Sequence, residues 1–215
     1  FCLRFYNNYW IFIKFKNKDQ TFMKNEVITI DLGSNSFRVL KYDCLNFKII
    51  DEYHQVVGLA DGLINSGLIN KEAQNRVIEA LKIASNKLDF DPKDAVCVTT
   101  AAMRKASNSK EVLEFLEKNS GAKFKIIDAE EEAKLTLLAI KYALQREKLE
   151  SKKFMVLDIG GGSTELSINL EDKYFSKSFD FGIVTMTQKS LKNGNLFEDL
   201  NQRKEEVKEF VDSLN

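Results

Sequence analysis

Phe154-Met155-Val156-Leu157-Asp158-Ile159-Gly160-Gly161-Gly162-Ser163-Thr164-Glu165-Leu166 decides how this chain is read. An apolar run delivers an aspartate, three glycines follow, and a second apolar stretch resumes, which predicts a strand, a tight turn and another strand. Glycine allows positive φ and leaves no Cβ in the way, so such a turn can present successive backbone N–H groups to an anion. Ser163 and Thr164 add hydroxyl donors. Asp158, at the strand end, is the type of ligand Mg²⁺ takes alongside waters and phosphate oxygens. No Gly-Lys-Ser/Thr follows, so this is not a Walker A loop. A strand rather than a helix comes next, which excludes a dinucleotide fingerprint. The plainer alternative is a hairpin with a solvated aspartate.

Working outward, the same pattern occurs earlier. Ile28-Thr29-Ile30-Asp31-Leu32-Gly33-Ser34 lines up with Met155-Val156-Leu157-Asp158-Ile159-Gly160-Gly161 at an offset of 127 residues. Asn35 and Ser36 extend the first turn with small polar donors. Two copies in matching contexts predict duplicated lobes that face one another, with Gly33, Ser34, Asn35 and Ser36 on one side of a cleft and Gly160, Gly161, Gly162 and Ser163 on the other.

Between and beyond the copies, hydrophobic periodicity predicts an α/β protein. Strands are expected at Val27–Ile30, Phe37–Tyr42, Phe47–Val57, Ala95–Thr99, Phe124–Ile127, Phe154–Asp158, Glu165–Leu170 and Tyr174–Phe181. Helices are expected at Lys71–Leu88, Ser109–Asn119, Ala129–Lys148 and Gln202–Leu214, and glycines 58, 62 and 67 punctuate a loop.

Composition narrows the chemistry. The 32 basic and 32 acidic side chains cancel, so the basic excess typical of a nucleic-acid partner is missing. An anionic ligand must then be held locally. Cys2, Cys44 and Cys97 lack C-x-x-C spacing and fit a reducing, cytoplasmic setting better than a disulfide framework or zinc site. His54 is the single histidine, which argues against Ser-His-Asp chemistry. Residues 1–22 differ from the rest, holding eight of the 23 aromatic residues. Their apolar run, Tyr9–Phe15, is too short to span a bilayer. They read as translated upstream or cloning-derived sequence preceding Met23, dispensable for the fold, and no membrane partner is expected.

At the two turns the chain becomes recognisable. Ile30-Asp31-Leu32-Gly33-Ser34-Asn35-Ser36-Phe37 and Leu157-Asp158-Ile159-Gly160-Gly161-Gly162-Ser163-Thr164-Glu165-Leu166 resemble the two phosphate motifs of the Ppx/GppA family, the exopolyphosphatases and guanosine pentaphosphate phosphatases. Thr99-Thr100-Ala101-Ala102-Met103-Arg104 is similar to its T-x-A-x-R segment, and Asp128-Ala129-Glu130-Glu131-Glu132-Ala133-Lys134-Leu135 to the start of its E-E-A helix. Phe181-Gly182-Ile183-Val184-Thr185-Met186 is similar to its G-x-V-R-L segment, with Thr185 where arginine is usual. The resemblance implies an actin/Hsp70/sugar-kinase-like architecture of ribonuclease-H-like lobes. It places a first lobe at 23–150 and the start of a second, truncated lobe at 151–215. It also implies Mg²⁺-dependent removal of terminal phosphate from inorganic polyphosphate or the 5′-γ-phosphate of guanosine pentaphosphate, and allows a homodimer of the full-length protein.

Site roles follow from that resemblance. Glu131 aligns as the base that orients the attacking water, with Glu132 its rival. Acids in a first helical turn also serve the macrodipole, so composition alone favours a structural part for both. Arg104 is expected in a small-residue loop, its guanidinium fork suited to phosphate. Asp31, Asp158 and Glu165 are the expected Mg²⁺ ligands, and Glu165, expected on the cleft side to bind the ion or hold its waters, is counted with Glu131 and Arg104 among the catalytic residues. A sugar or acetate kinase, and a non-catalytic nucleotide-binding module of the same fold, are the competing readings.

Overall fold

Strand-forming residues on both sides of each aspartate turn build two separate sheets. The computed structural model describes residues 5–6, 9–10, 26–171, 173–193 and 195–214. Within the N-terminal extension these comprise β1 (Phe5–Tyr6) and β2 (Tyr9–Trp10), paired antiparallel. The expectation for residues 1–22 otherwise falls outside the described residues.

The first sheet starts as an antiparallel meander of β3 (Glu26–Leu32), β4 (Ser36–Asp43) and β5 (Lys48–Val56). A one-turn helix, α1 (Leu63–Ser66), and the long α2 (Lys71–Leu88) then carry the chain to β6 (Val96–Thr99), which lies parallel to β3. Next come α3 (Ala101–Lys105), α4 (Ser109–Ser120) and β7 (Phe124–Ile126), parallel to β6. The resulting order is β5-β4-β3-β6-β7. Parallel neighbours require crossovers, and α2 and α4 supply them. Ile30 and Leu32 of β3 are fully buried in one core with Val77 and Leu81 of α2 and Leu116 of α4. Each such side chain contributes about 1.5–3 kcal/mol by leaving water.

α5 (Ala129–Arg146) follows β7 but packs on a second sheet made of β8 (Lys153–Ile159), β9 (Thr164–Leu170) and β10 (Lys173–Phe179). That sheet is antiparallel in the order β10-β9-β8. α6 (Ile183–Asn193) and α7 (Leu196–Asp212) complete the order of elements, and Phe210 of α7 meets Phe179 of β10 edge-on at 6.2 Å.

The sequence missed α1, α3 and α6. The first two are too short to show a period, and α6 is dominated by Thr, Gln, Lys and Ser. α7 starts at Leu196 rather than Gln202, its first turn carrying Glu198 and Asp199, which favour a helix N-terminus. Arg104 therefore lies in a short helix, not in the expected loop.

Candidate active site

Asp31 and Asp158 come together in one cleft of about 500 Å³, as the duplicated-lobe reading requires. The same cleft is lined by Gly33, Ser34, Asn35 and Ser36 of the first turn and by Gly160, Gly161, Gly162 and Ser163 of the second. The turns share one geometry. Gly33 N–H donates to Ser36 O at 2.9 Å, and Gly160 N–H donates to Ser163 O at 2.9 Å.

They also touch each other. A Cβ on Gly162 would lie 2.5 Å from Ser34 Oγ and 3.1 Å from Ala101 Cβ, and one on Gly161 would lie 3.2 Å from Asn35 Cβ. The glycines are thus needed for close approach between the turns, in addition to any exposure of N–H groups. Lys105 of α3 ties the second turn down, donating to Gly162 O at 2.6 Å and pairing with Asp180. From the far side the start of α6 closes on it, with Ile183 N–H to Gly160 O and Val184 N–H to Gly161 O, both 2.9 Å. Thr185 caps that helix start. Its Oγ1 accepts from Gly182 N–H at 2.8 Å and donates to Gly182 O at 3.1 Å.

The helix phase of α5 separates the two candidate bases. Asp128 is the N-cap and accepts from Glu131 N–H at 2.7 Å, which puts Glu131 at the third helical position. From there Glu131 pairs with Lys125, 2.9 and 3.0 Å from Nζ to its two carboxylate oxygens, and it is not among the cleft-lining residues. Glu132 is 3% exposed and lines the cleft. One helical turn on, Thr136 Oγ1 donates to Asp158 Oδ2 at 3.3 Å. Of the two candidate bases, Glu132 and not Glu131 lines the cleft.

Arg104 does not line the cleft directly. Its Nη1 donates to Glu132 Oε2 at 2.7 Å and to Ile127 O at 2.8 Å. A charge-assisted bond of this kind holds a buried carboxylate both neutralised and oriented.

Glu165 departs from its expected place. It stands directly opposite Asp158 in the β8–β9 ladder, but it is 2% exposed, is not in the cleft wall, and accepts from Ser178 Oγ at 2.8 Å. Of the three expected ligands, Asp31 and Asp158 line the cleft and Glu165 does not, and among the described residues no three His, Cys, Asp or Glu side chains converge to hold a metal ion. The donor set nevertheless fits Mg²⁺. The cleft offers hard carboxylate and hydroxyl oxygens, and that ion usually takes one or two carboxylates plus phosphate and water.

Sequence reasoning missed Arg38. It lies opposite Asp31 in the β3–β4 ladder and lines the cleft. Its signal was positional, because 38 plus the repeat offset gives 165. The described cysteines supply no nucleophile at the cleft, since burial pushes the Cys97 thiol up to about 12. Among the described residues no helix is long and apolar enough to cross a membrane.

Comparison with known proteins agrees with this geometry. The model of the Ppx/GppA phosphatase family matches residues 38–214. An exopolyphosphatase from Cytophaga hutchinsonii superposes with a TM-score of 0.67 at 28% identity, over 76% of this chain and 53% of that one. The type II variant of the Aquifex aeolicus Ppx/GppA phosphatase gives 0.60 at 27% identity, over 85% and 63%. An exopolyphosphatase-like protein gives 0.71 at 26% identity, over 88% and 62%. The chain thus spans between about half and two thirds of the length of these relatives. The fold is the α/β one expected from the sequence, and it is shared with these Ppx/GppA structures.

Proposed function

From its membership of the Ppx/GppA phosphatase family, we propose that this chain carries the phosphate-binding and catalytic part of a Mg²⁺-dependent phosphohydrolase. Its substrate is the terminal phosphate of inorganic polyphosphate or the 5′-γ-phosphate of guanosine pentaphosphate. The observation that carries the reading is the meeting of two aspartate–glycine turns in one cleft with a buried glutamate, Glu132, in its wall.

Hydrolysis of a phosphoanhydride needs a held phosphate chain, neutralised charge on the transferring group and an oriented water. The two turns bind phosphate oxygens through backbone N–H groups and the Ser34 and Ser163 hydroxyls. Arg38 adds positive charge on the side of Asp31. Glu132 orients the water and takes its proton, while Arg104 keeps that carboxylate fixed. Asp31 and Asp158, which line the cleft, would hold Mg²⁺, with Glu165 behind Asp158 adding negative charge. When bound, the ion supplies charge neutralisation on the phosphate oxygens.

The test is phosphate release from long-chain polyphosphate, guanosine pentaphosphate and ATP, with and without Mg²⁺, using the full-length protein. Glu132→Gln should lower kcat by about 10²–10⁴-fold, the usual contribution of a general base. Glu131→Gln should stay near the unmodified rate, because it removes only a surface pair with Lys125. No Mg²⁺-dependent release from any of the three substrates would sink the activity. Near-normal turnover in Glu132→Gln would sink the assignment of the base.

A further inference from the structure

Arg76 lies on α2, outside the cleft wall. Its Nε donates to Val57 O at 2.6 Å, and its Nη2 donates to Gly58 O at 3.0 Å and Asp61 Oδ2 at 2.7 Å. One guanidinium therefore gathers three acceptors of the loop that follows β5. That loop is built for the contact. Val57, Gly58, Leu59 and Ala60 are buried, and Gly58 has φ +55°, with Asp61 Oδ2 only 2.4 Å from where a Cβ would stand. Buried carbonyls need partners, and Arg76 supplies them for Val57 and Gly58.

The loop in turn holds the first phosphate turn. Val57 N–H and Gly58 N–H both donate to Asn35 O, at 2.8 and 2.9 Å, and Ala60 N–H donates to Ser34 O at 2.8 Å. In a planar trans peptide the carbonyl and the following N–H point opposite ways. Fixing Ser34 O and Asn35 O against the loop therefore turns the N–H groups of Asn35 and Ser36 to the other side. Both residues line the cleft. The loop is also gripped from the second sheet's side, where Gln188 Nε2 of α6 donates to Ala60 O at 3.0 Å.

We propose that Arg76 is a positioning residue for phosphate binding: through the 57–61 loop it sets the orientation of the two amides that the Ser34–Asn35–Ser36 turn offers to a phosphate group. The proposal rests on the phosphate-binding reading of the cleft and extends it to a residue that touches no substrate. A guanidinium outside the site is a sound device for this. Its fork is rigid and permanently charged, and it holds two carbonyls and a carboxylate at once without adding a competing cation to the cleft.

The test compares Arg76→Met, Arg76→Lys and Asp61→Asn in the full 215-residue chain by two measurements. The first is amide hydrogen exchange at Val57, Gly58 and Ala60. The second is calorimetric binding of inorganic tripolyphosphate with Mg²⁺. Loss of a charge-assisted clamp should raise exchange at those three amides and weaken tripolyphosphate binding, each by roughly ten- to hundredfold in Arg76→Met. Protection of Val77 and Leu81 in the α2 core should be kept. Arg76→Lys should recover part of the affinity. Asp61→Asn should lose least, because both carbonyl bonds remain. The proposal is overturned if Arg76→Met binds tripolyphosphate as the parent does. It is equally overturned if affinity falls only together with protection of the α2 core, which would make Arg76 a merely structural residue. A parent chain that binds no tripolyphosphate, with the exchange response still present, brings down the phosphate reading and this extension with it, while the clamp on the loop stands.

Discussion

The two aspartate–glycine turns have the same backbone and opposite chemistry. Each joins antiparallel strands through the same glycine-to-serine hydrogen bond, and each aspartate has a defined partner directly across its ladder. In the first turn that partner is Arg38, so Asp31 faces a cation of the protein itself. In the second it is Glu165, so Asp158 faces another carboxylate. Two carboxylates opposite one another repel unless a cation joins them. The surroundings differ as well. Ile30 and Leu32 beside the first turn are fully buried, whereas their counterparts Leu157 and Ile159 are 48% and 53% exposed. The difference has a topological cause. β3 lies between β4 and β6, while among the described residues β8 is an edge strand with β9 as its single neighbour. The repeat thus puts the two turns at matching places, and the residue across from each aspartate is what differs between them.

The glycines break this equivalence most sharply. Gly162→Ala forces a methyl group to 2.5 Å from Ser34 Oγ, whereas a Cβ on Gly33 meets nothing closer than 3.5 Å. Overpacking of this kind costs about 1–3 kcal/mol, so thermal unfolding of Gly162→Ala should come several degrees lower, with loss of phosphate binding. Gly33→Ala, at φ outside the left-handed region, should stay within about 0.5 kcal/mol of the parent. Equal destabilisation by the two substitutions would show that the turns are not packed as described.

Much of this was legible beforehand for a physical reason. A strand ending in Asp-x-Gly carries its own geometry, so the repeat predicted the shared cleft without knowledge of any contact. What the sequence left open depended on tertiary phase. Whether Glu131 or Glu132 enters the cleft is a rotation of about 100° around α5, and it is set by the Asp128 cap and by the face that packs on the second sheet. The signal was present in Thr136, Ala139 and Ala143, small residues in register with Glu132 and all buried. Their small size marks the side on which α5 lies close to its neighbour. The burial of Glu165 was hidden for a related reason. Its ladder position opposite Asp158 was readable, but the burial that removes it from the cleft wall comes from elements packed around β9. Arg76 had no local signature, because its partners lie 15 to 19 residues away in a loop.

A metal titration sharpens the contrast between Arg38 and Glu165. If Mg²⁺ binds beside Asp158 in the folded state alone, ten times its Kd stabilises the protein by about 1.4 kcal/mol. Glu165→Gln should stay close to the parent in stability without Mg²⁺, since glutamine can still accept from Ser178, and it should lose part of the metal-dependent gain through the missing negative charge behind Asp158. Arg38→Gln should keep that gain and show only the loss of the opposite charge across the ladder from Asp31, about 0.2–1 kcal/mol. A full Mg²⁺ response in Glu165→Gln, measured by thermal unfolding, would remove Glu165 from the metal site.

The smallest expected effect reads the first turn from its outer side. Arg38 faces Asp31 across β3–β4 and His54 across β4–β5, so three ionisable side chains lie in register over three strands. Partial burial, and then the Arg38 charge, lower the His54 pKa from its ordinary value, while Glu52 opposes them. The unfolded chain therefore takes up the proton first as pH falls. The stability associated with a neutral His54 is complete above the ordinary histidine value of about 6.5. It declines as pH drops below that value and levels off once the folded-state pKa is passed. His54→Gln should flatten this slope in a plot of unfolding midpoint against pH between about 7 and 5, with little change at its upper end. Arg38→Gln should reduce the slope without abolishing it, because burial is the larger cause. A slope that survives His54→Gln unchanged would show that it does not come from His54.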